Sequence, residues 1–137
     1  MIAGKIQSGK LTKNNSNDAG QDIYSNETII IPPMDSRLLS TDLRISVPLN
    51  HVGLIWPRSG LSVNHKIEVG AGCIDVGYIG EVKAHLYNLG TDPYKVNIGD
   101  KIAQLLTLPI NLSPYVPVDS LEKSDRGEDG FNSSGYK

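Results

Sequence analysis

The sequence predicts an all-β domain of many short strands, a sandwich or barrel, and three observations carry that expectation. Gly and Pro recur at short intervals, the pieces between them are rich in β-branched and aromatic residues, and several alternate apolar and polar positions with a period of two. Pro32-Pro33, Pro48, Pro57, Gly60, Gly70, Gly72, Gly77, Gly80, Gly90, Pro93, Gly99 and Pro109 leave no room for helices of ordinary length.

Taken in order, Thr28 to Ile31 is β-branched throughout and is closed by Pro32-Pro33. Leu38 to Val47 contains the alternation Leu43-Arg44-Ile45-Ser46-Val47, which puts one face of a strand against a core. His51 to Trp56 is apolar and stops at Pro57, and Ile67 to Val69 stops at Gly70. Val82-Lys83-Ala84-His85-Leu86 gives Glu81 to Tyr87 the same half-buried pattern. Tyr94 to Ile98 and Ile102 to Leu108 flank the Gly99-Asp100 turn.

A length of 137 residues fits one domain and falls short of two independent cores. The formal net charge of −2 offers no clustered basic face, so neither nucleic acid nor an anionic membrane is an expected partner, and any polyanion must be held locally. No apolar run approaches the roughly 20 residues of a membrane span, and the N-terminus lacks the pattern of a secretory signal. A soluble intracellular protein of the cytoplasm, or of the nucleus in a eukaryotic host, is expected. Cys73 is the single cysteine, which rules out an internal disulfide. Its apolar surroundings predict a buried small hydrophobe rather than a nucleophile.

After Val118 the composition turns polar, which predicts a folded domain over 1–119 and a mobile tail over 120–137. Composition alone describes a frayed terminus. Against that, Arg126-Gly127-Glu128-Asp129-Gly130-Phe131-Asn132-Ser133-Ser134-Gly135 concentrates one cation, one aromatic ring, hydroxyls and glycines, the parts of a phosphate clamp.

Four further segments look suited to chemistry. Ala19-Gly20-Gln21-Asp22 sets a carboxylate just before the strand-like Ile23-Tyr24, although by itself Asp22 reads as a turn residue bonding its own backbone. Pro57-Arg58-Ser59-Gly60-Leu61-Ser62 follows a strand, where Arg58, Ser59 and freed N–H groups could cradle an anion; an ordinary polar turn would look the same. In Gly70-Ala71-Gly72-Cys73-Ile74-Asp75-Val76-Gly77-Tyr78-Ile79-Gly80-Glu81, glycines allow close backbone approach to a planar ligand, with Asp75 and Tyr78 at the turn of a hairpin. Gly99-Asp100-Lys101-Ile102-Ala103-Gln104 enters a strand and carries Gln104 among apolar neighbours.

In this order the five segments resemble the five signature motifs of the homotrimeric dUTP pyrophosphatase family, from Ala19 to Gly135. The chain departs from the family pattern at Gly77, where a second acid is usual, at Ile79, where Arg is common, and at Asp129 and Asn132, where Gly is preferred.

The resemblance implies a jelly-roll-like subunit, a distorted β-barrel, assembled as a homotrimer. It implies hydrolysis of dUTP to dUMP and pyrophosphate with Mg²⁺, which limits uracil incorporation into DNA and supplies dUMP for dTMP synthesis. Asp75 would be the general base. Gly70, Gly72, Cys73, Ile74, Tyr78 and Phe131 would hold uracil and deoxyribose, and Arg58, Ser59, Gly60, Gln104, Arg126, Ser133 and Ser134 the phosphates. Asp22 would meet the metal through water. Each site would draw Asp75 and Tyr78 from one chain, Arg58, Ser59 and Gln104 from a second and the tail from the third. A dCTP deaminase-like enzyme and a nucleotide-gated regulatory protein on the same fold are the alternatives; ammonia release would mark the first.

Overall fold

The computed structural model describes residues 2–131. Among these the elements run β1 Lys5–Ser8, β2 Leu11–Thr12, β3 Gln21–Tyr24, β4 Ile29–Ile31, β5 Asp35–Ser46, β6 His51–Trp56, α1 Ser59–His65, β7 Ile67–Gly70, β8 Cys73–Ile74, β9 Glu81–Asn88, β10 Tyr94–Val96 and β11 Lys101–Pro109. A four-stranded sheet has the order β1-β5-β9-β7, a five-stranded sheet the order β2-β3-β11-β6-β8, and β10 with β4 forms a separate ribbon.

Apolar alternation explains how the layers close. Along β9, Val82, Ala84 and Leu86 point inward while Lys83 and Tyr87 point out. One core cluster joins Leu43, Ile45 and Val82 of the first sheet to Ile23, Ile55, Ile74, Ala103 and Leu105 of the second. A second cluster packs Ile31 and Val96 of the ribbon on Leu39, Ile67, Ala84 and Leu86. This is the all-β class that the alternation predicts, in the jelly-roll-like form that the family resemblance implies. No helix among the described residues is long and apolar enough to cross a membrane.

All seven predicted strand segments are present, His51–Trp56 with both ends as predicted and the others with shifted ends, but β1, β2 and β8 were not foreseen as strands. Two residues are too few to show a period, and β1 is mostly exposed. The segment after Pro57, read as a turn, instead opens the seven-residue helix α1. Arg58 is extended at its N-cap, with φ −86° and ψ 133°, and Lys66 stops it in the left-handed region at φ 56°.

β5 does not run evenly beside β9. Leu39 faces Ala84 and Leu43 faces Val82, so β5 spends two more residues than its partner between these pairs. An even number of extra residues keeps the inward phase, and Leu39, Thr41, Leu43 and Ile45 all remain buried. The backbone released by the irregularity is satisfied by Glu81, whose Oε2 accepts from Ser40 Oγ at 2.5 Å and from the amides of Thr41 and Asp42 at 3.2 and 2.8 Å. The hydroxyl of buried Thr41 donates to the Val82 carbonyl. At the far end of β9, buried Asn88 donates to the carbonyls of Ile31 and Asp92 and accepts from the Gly90 amide, tying the ribbon to the sheet.

The hydrogen bond from Ser40, then that from the Asp42 amide, holds the Glu81 carboxyl below its ordinary 4.5. A depressed folded-state pKa gives stability that is complete above the unfolded value and is lost as pH falls through the folded one. Glu81→Gln is therefore expected to cost about 1 kcal/mol at neutral pH, a charged hydrogen bond discounted for partial access to water. The deficit should shrink below about pH 4. Urea unfolding across pH 3 to 8 checks both; a deficit that grows toward acid would exclude this role for Glu81.

Candidate active site

Two recesses collect most of the residues singled out in the sequence. The first is lined by Ala19, Gly20, Asp22, Arg58, Ser59, Gly60 and Gln104, drawn from three distant segments. Sheet register brings them together. Thr12 pairs with Asp22, Asp22 with Gln104 and Gln104 with Trp56, forming one row across four strands. Gln104 Nε2 donates to the Pro57 carbonyl at 2.9 Å, which ties the row to the start of α1. A Cβ on Gly20 would overlap Gln104 Oε1, so with glycine the loop before β3 passes over that amide and a larger residue would require the Gln104 side chain to shift.

The Asp22 carboxylate in this recess is paired. Arg58 Nε donates to Asp22 Oδ1 at 3.2 Å, and Lys101 Nζ lies 3.3 Å from Asp22 Oδ2. The first helical bond of α1 runs from the Ser62 amide to the Arg58 carbonyl, which leaves the amides of Ser59 and Gly60 outside the helix ladder. Arg58, Gln104 and these groups make a surface rich in donors, suited to an anion.

The second recess is lined by Gly72, Cys73, Ile74, Asp75 and Tyr78, with Ile55 beneath and Arg44, Glu81 and Lys83 at its side. The chain here is not the paired hairpin expected. The segments on either side of the turn that bears Asp75 and Tyr78 do not pair: β8 bonds β6 in one sheet and β9 bonds β5 and β7 in the other, and Gly70 to Gly72 is a crossing between the sheets. Gly72 adopts φ +102°, and its carbonyl accepts from the Ile55 amide at 2.8 Å. Gly70 packs so closely on Tyr87 that a Cβ there would overlap its ring. The Tyr78 amide donates to the Asp75 carbonyl at 3.2 Å, closing the turn that presents both side chains. Tyr78 folds back over Gly80 and donates to the Glu81 carbonyl at 2.7 Å.

Cys73 corrects the expectation of a buried thiol: it is exposed. On a two-residue strand successive side chains take opposite faces, and Ile74 holds the inner one. The Cys73 sulfur lies 3.9 Å from Asp75 Oδ1.

The two recesses share no lining residue. The tail joins neither: beyond Ile110 the hydrogen bonds among the described residues are local, such as Arg126 Nε to the Asp129 carbonyl at 2.6 Å, and Phe131 is fully exposed. Ser133 and Ser134 lie outside the described residues.

Lys13, Asn14 and Asp18 also line the first recess and were missed. The uninterrupted polar run from Lys13 to Asp18, directly before Ala19-Gly20, was the available signal. Arg44 and Lys83 gave none, being outward positions of alternating strands.

Comparison with known proteins agrees with this geometry. The dUTPase family profile matches residues 8–135. The deoxyuridine 5'-triphosphate nucleotidohydrolase of Saccharomyces cerevisiae is 44% identical over 125 residues, covering 90% of this chain and 85% of the yeast protein. That of Fowlpox virus is 41% identical over 128 residues, covering 91% of this chain and 88% of the viral one. Among solved structures, a mutant dUTPase of Staphylococcus bacteriophage 80alpha with dUpNHpp aligns at a TM-score of 0.91 and 27% identity, covering 98% of this chain and 99% of that one. A mutant dUTPase of S. aureus phage phi11, described as coordinating a structural Mg(II) ion, aligns at 0.82 and 26% identity, covering 89% of this chain and 100% of that one.

The close approach at Gly20 gives a matched pair of variants. Gly20→Ala should cost about 1–3 kcal/mol, because the Cβ must displace Gln104 from its bond to Pro57. A Cβ at Gly60 meets nothing within 4 Å, and alanine suits a helix better, so Gly60→Ala should hold or raise the melting temperature. Thermal unfolding of both would discard this account of Gly20 if its variant matched the wild type.

Proposed function

The chain belongs to the dUTPase family and hydrolyses dUTP, and on that premise we propose that the products are dUMP and pyrophosphate, released from sites shared between the subunits of a homotrimer. The observation that carries the shared site is the division of its parts: the Asp75 recess and the Arg58 recess have no lining residue in common, and the described part of the tail, up to Phe131, lines neither. Three copies around an axis would bring one of each together. Outward apolar side chains such as Trp56, Val63 and Val116 offer surface for subunits to cover.

In the proposed mechanism Asp75 accepts the proton of a water as its oxygen bonds the α-phosphorus. The bond from that phosphorus to the bridging oxygen breaks, and pyrophosphate leaves with the bonding pair. Arg58, Ser59, Gly60 and Gln104 hold the phosphates from one chain, and Arg126, Ser133 and Ser134 clamp them from another, so positioning and electrostatics supply most of the rate. Gly72, Cys73 and Ile74 line uracil, where close backbone leaves no space for the thymine methyl, while Gly70, packed on Tyr87 outside the recess wall, lets the chain cross toward it. Tyr78 stacks on deoxyribose and excludes a 2′-hydroxyl, and Phe131 closes over the base.

Mg²⁺ fits this arrangement as an ion carried by the substrate. No group of three His, Cys, Asp or Glu able to hold a metal occurs among the described residues, whereas Asp22 faces the phosphate recess with lone pairs left for water. Bound there, the ion would neutralise phosphate charge. The folded unit is assigned to 1–119 and the clamp to 120–137, and the proposed place of action is wherever deoxynucleotides are made and used, the cytoplasm or nucleus.

Asp75→Asn keeps the shape of the base and should lower kcat by roughly 10²–10⁴ while dUTP still binds. Near-normal turnover would remove Asp75 from the mechanism.

A mixing experiment tests the shared site. Asp75→Asn chains and chains ending at Ser124 are unfolded, combined equally and refolded, so that every chain carries one lesion. If base and tail come from different chains, random assortment leaves about a quarter of the sites intact, and about a quarter of wild-type activity should return. Activity near zero in mixed trimers confirmed by mass would mean that one chain supplies both.

A further inference from the structure

The strand that carries Gln104 enters its sheet through a bulge with a consequence for charge. Lys101 pairs with Tyr24, Ala103 with Ile23 and Gln104 with Asp22, so Ile102 is an extra residue on β11, and both Ile102 and Ala103 are buried. In a regular strand, residues three apart project from opposite faces. The extra residue reverses that phase and turns Lys101 to the face occupied by Gln104 and Asp22.

The result is a cluster in which each oxygen of one carboxylate has its own cation: Arg58 on Oδ1 at 3.2 Å and Lys101 on Oδ2 at 3.3 Å. Arg58 bonds Asp22 through Nε only, which leaves the two terminal nitrogens of its guanidinium for another anion. Lys101 is not part of the recess wall that Arg58 and Asp22 help to form. Asp22 is 15% exposed and Lys101 32%, so the pair is partly shielded from water and its Coulomb energy is only partly screened.

We propose that Lys101 is a positioning residue for the triphosphate: it occupies the second oxygen of Asp22, and so keeps that carboxylate from drawing the whole Arg58 fork onto itself. The cluster then presents one net positive charge, carried by Arg58, to the phosphates. With Lys101 removed, Asp22 and Arg58 cancel, and a bidentate pair between them becomes the better arrangement. The inference rests on the dUTPase reading and adds to it a residue whose effect is on phosphate binding and not on the proton transfer at Asp75.

The test measures steady-state dUTP hydrolysis and binding of a non-hydrolysable dUTP analogue by full-length wild-type, Lys101→Met and Lys101→Arg proteins, with melting temperatures for each. Lys101→Met is expected to raise KM and weaken analogue binding about fivefold, what one partly screened ion pair is worth, with kcat changed less than twofold. Lys101→Arg should restore both. A wild-type protein that turned over no dUTP would defeat the enzyme reading itself, and is told apart by that control. Given an active wild type, an unchanged KM, a loss confined to kcat or melting temperature, or failure of arginine to rescue would each overturn the role of Lys101.

Discussion

The pairing of β11 between β3 and β6 is the constraint on which the rest of the structure depends. One strand cannot serve core and site with the same face. On its inner face β11 gives Ala103 and Leu105 to the core that joins the two sheets. Its outer face carries Gln104 in register with Asp22 on one side and Trp56 on the other. A shift of one residue would exchange the faces, burying Gln104 and exposing the core side chains. Hydrophobic burial therefore fixes the register, and the register fixes the polar row.

Glu81 links the other recess to the fold in a similar way. It begins β9, lines the recess beside Tyr78, and receives the Tyr78 hydroxyl on its carbonyl. Its carboxylate serves a different purpose, satisfying the backbone that β5 frees between Leu39 and Leu43. The turn bearing Asp75 and Tyr78 is thus anchored at its end by a residue that also repairs an irregular strand. That dual use explains how an exposed turn without regular hydrogen bonding can keep a defined shape.

Strand existence was legible because the alternation in β5 and β9 and the boundaries at Pro57 and Gly70 are local signals. What the local pattern could not show was pairing across the chain. The Gly70 to Glu81 segment reads as a hairpin because glycines flank a short apolar piece, yet β8 and β9, on either side of the turn with Asp75 and Tyr78, belong to different sheets. Cys73 reads as buried because its neighbours are apolar, yet strand parity turns it outward while Ile74 goes in. For the site, motif order singled out Asp22, Arg58, Gln104, Asp75 and Tyr78, and folding gathers the first three at one recess and the last two at another. Lys13, Arg44, Lys83 and Lys101 needed coordinates, because a lysine or arginine on an outward position is the usual solvated residue until folding supplies its neighbours.

Net charge would have argued against a triphosphate ligand, and the arrangement of charges shows why that argument fails. The chain carries −2 overall, but charges farther apart than a Debye length of about 8 Å hardly feel one another in physiological salt. What an anion at this recess would meet is the local set: Arg58 and Lys13 on the recess wall, Asp22 and Asp18 beside them, and Lys101 paired behind. Because Lys101 accounts for one oxygen of Asp22, the balance near Arg58 is positive although the molecule is acidic. Which charges stand together is thus decided by β-sheet register and not by the net charge of the chain.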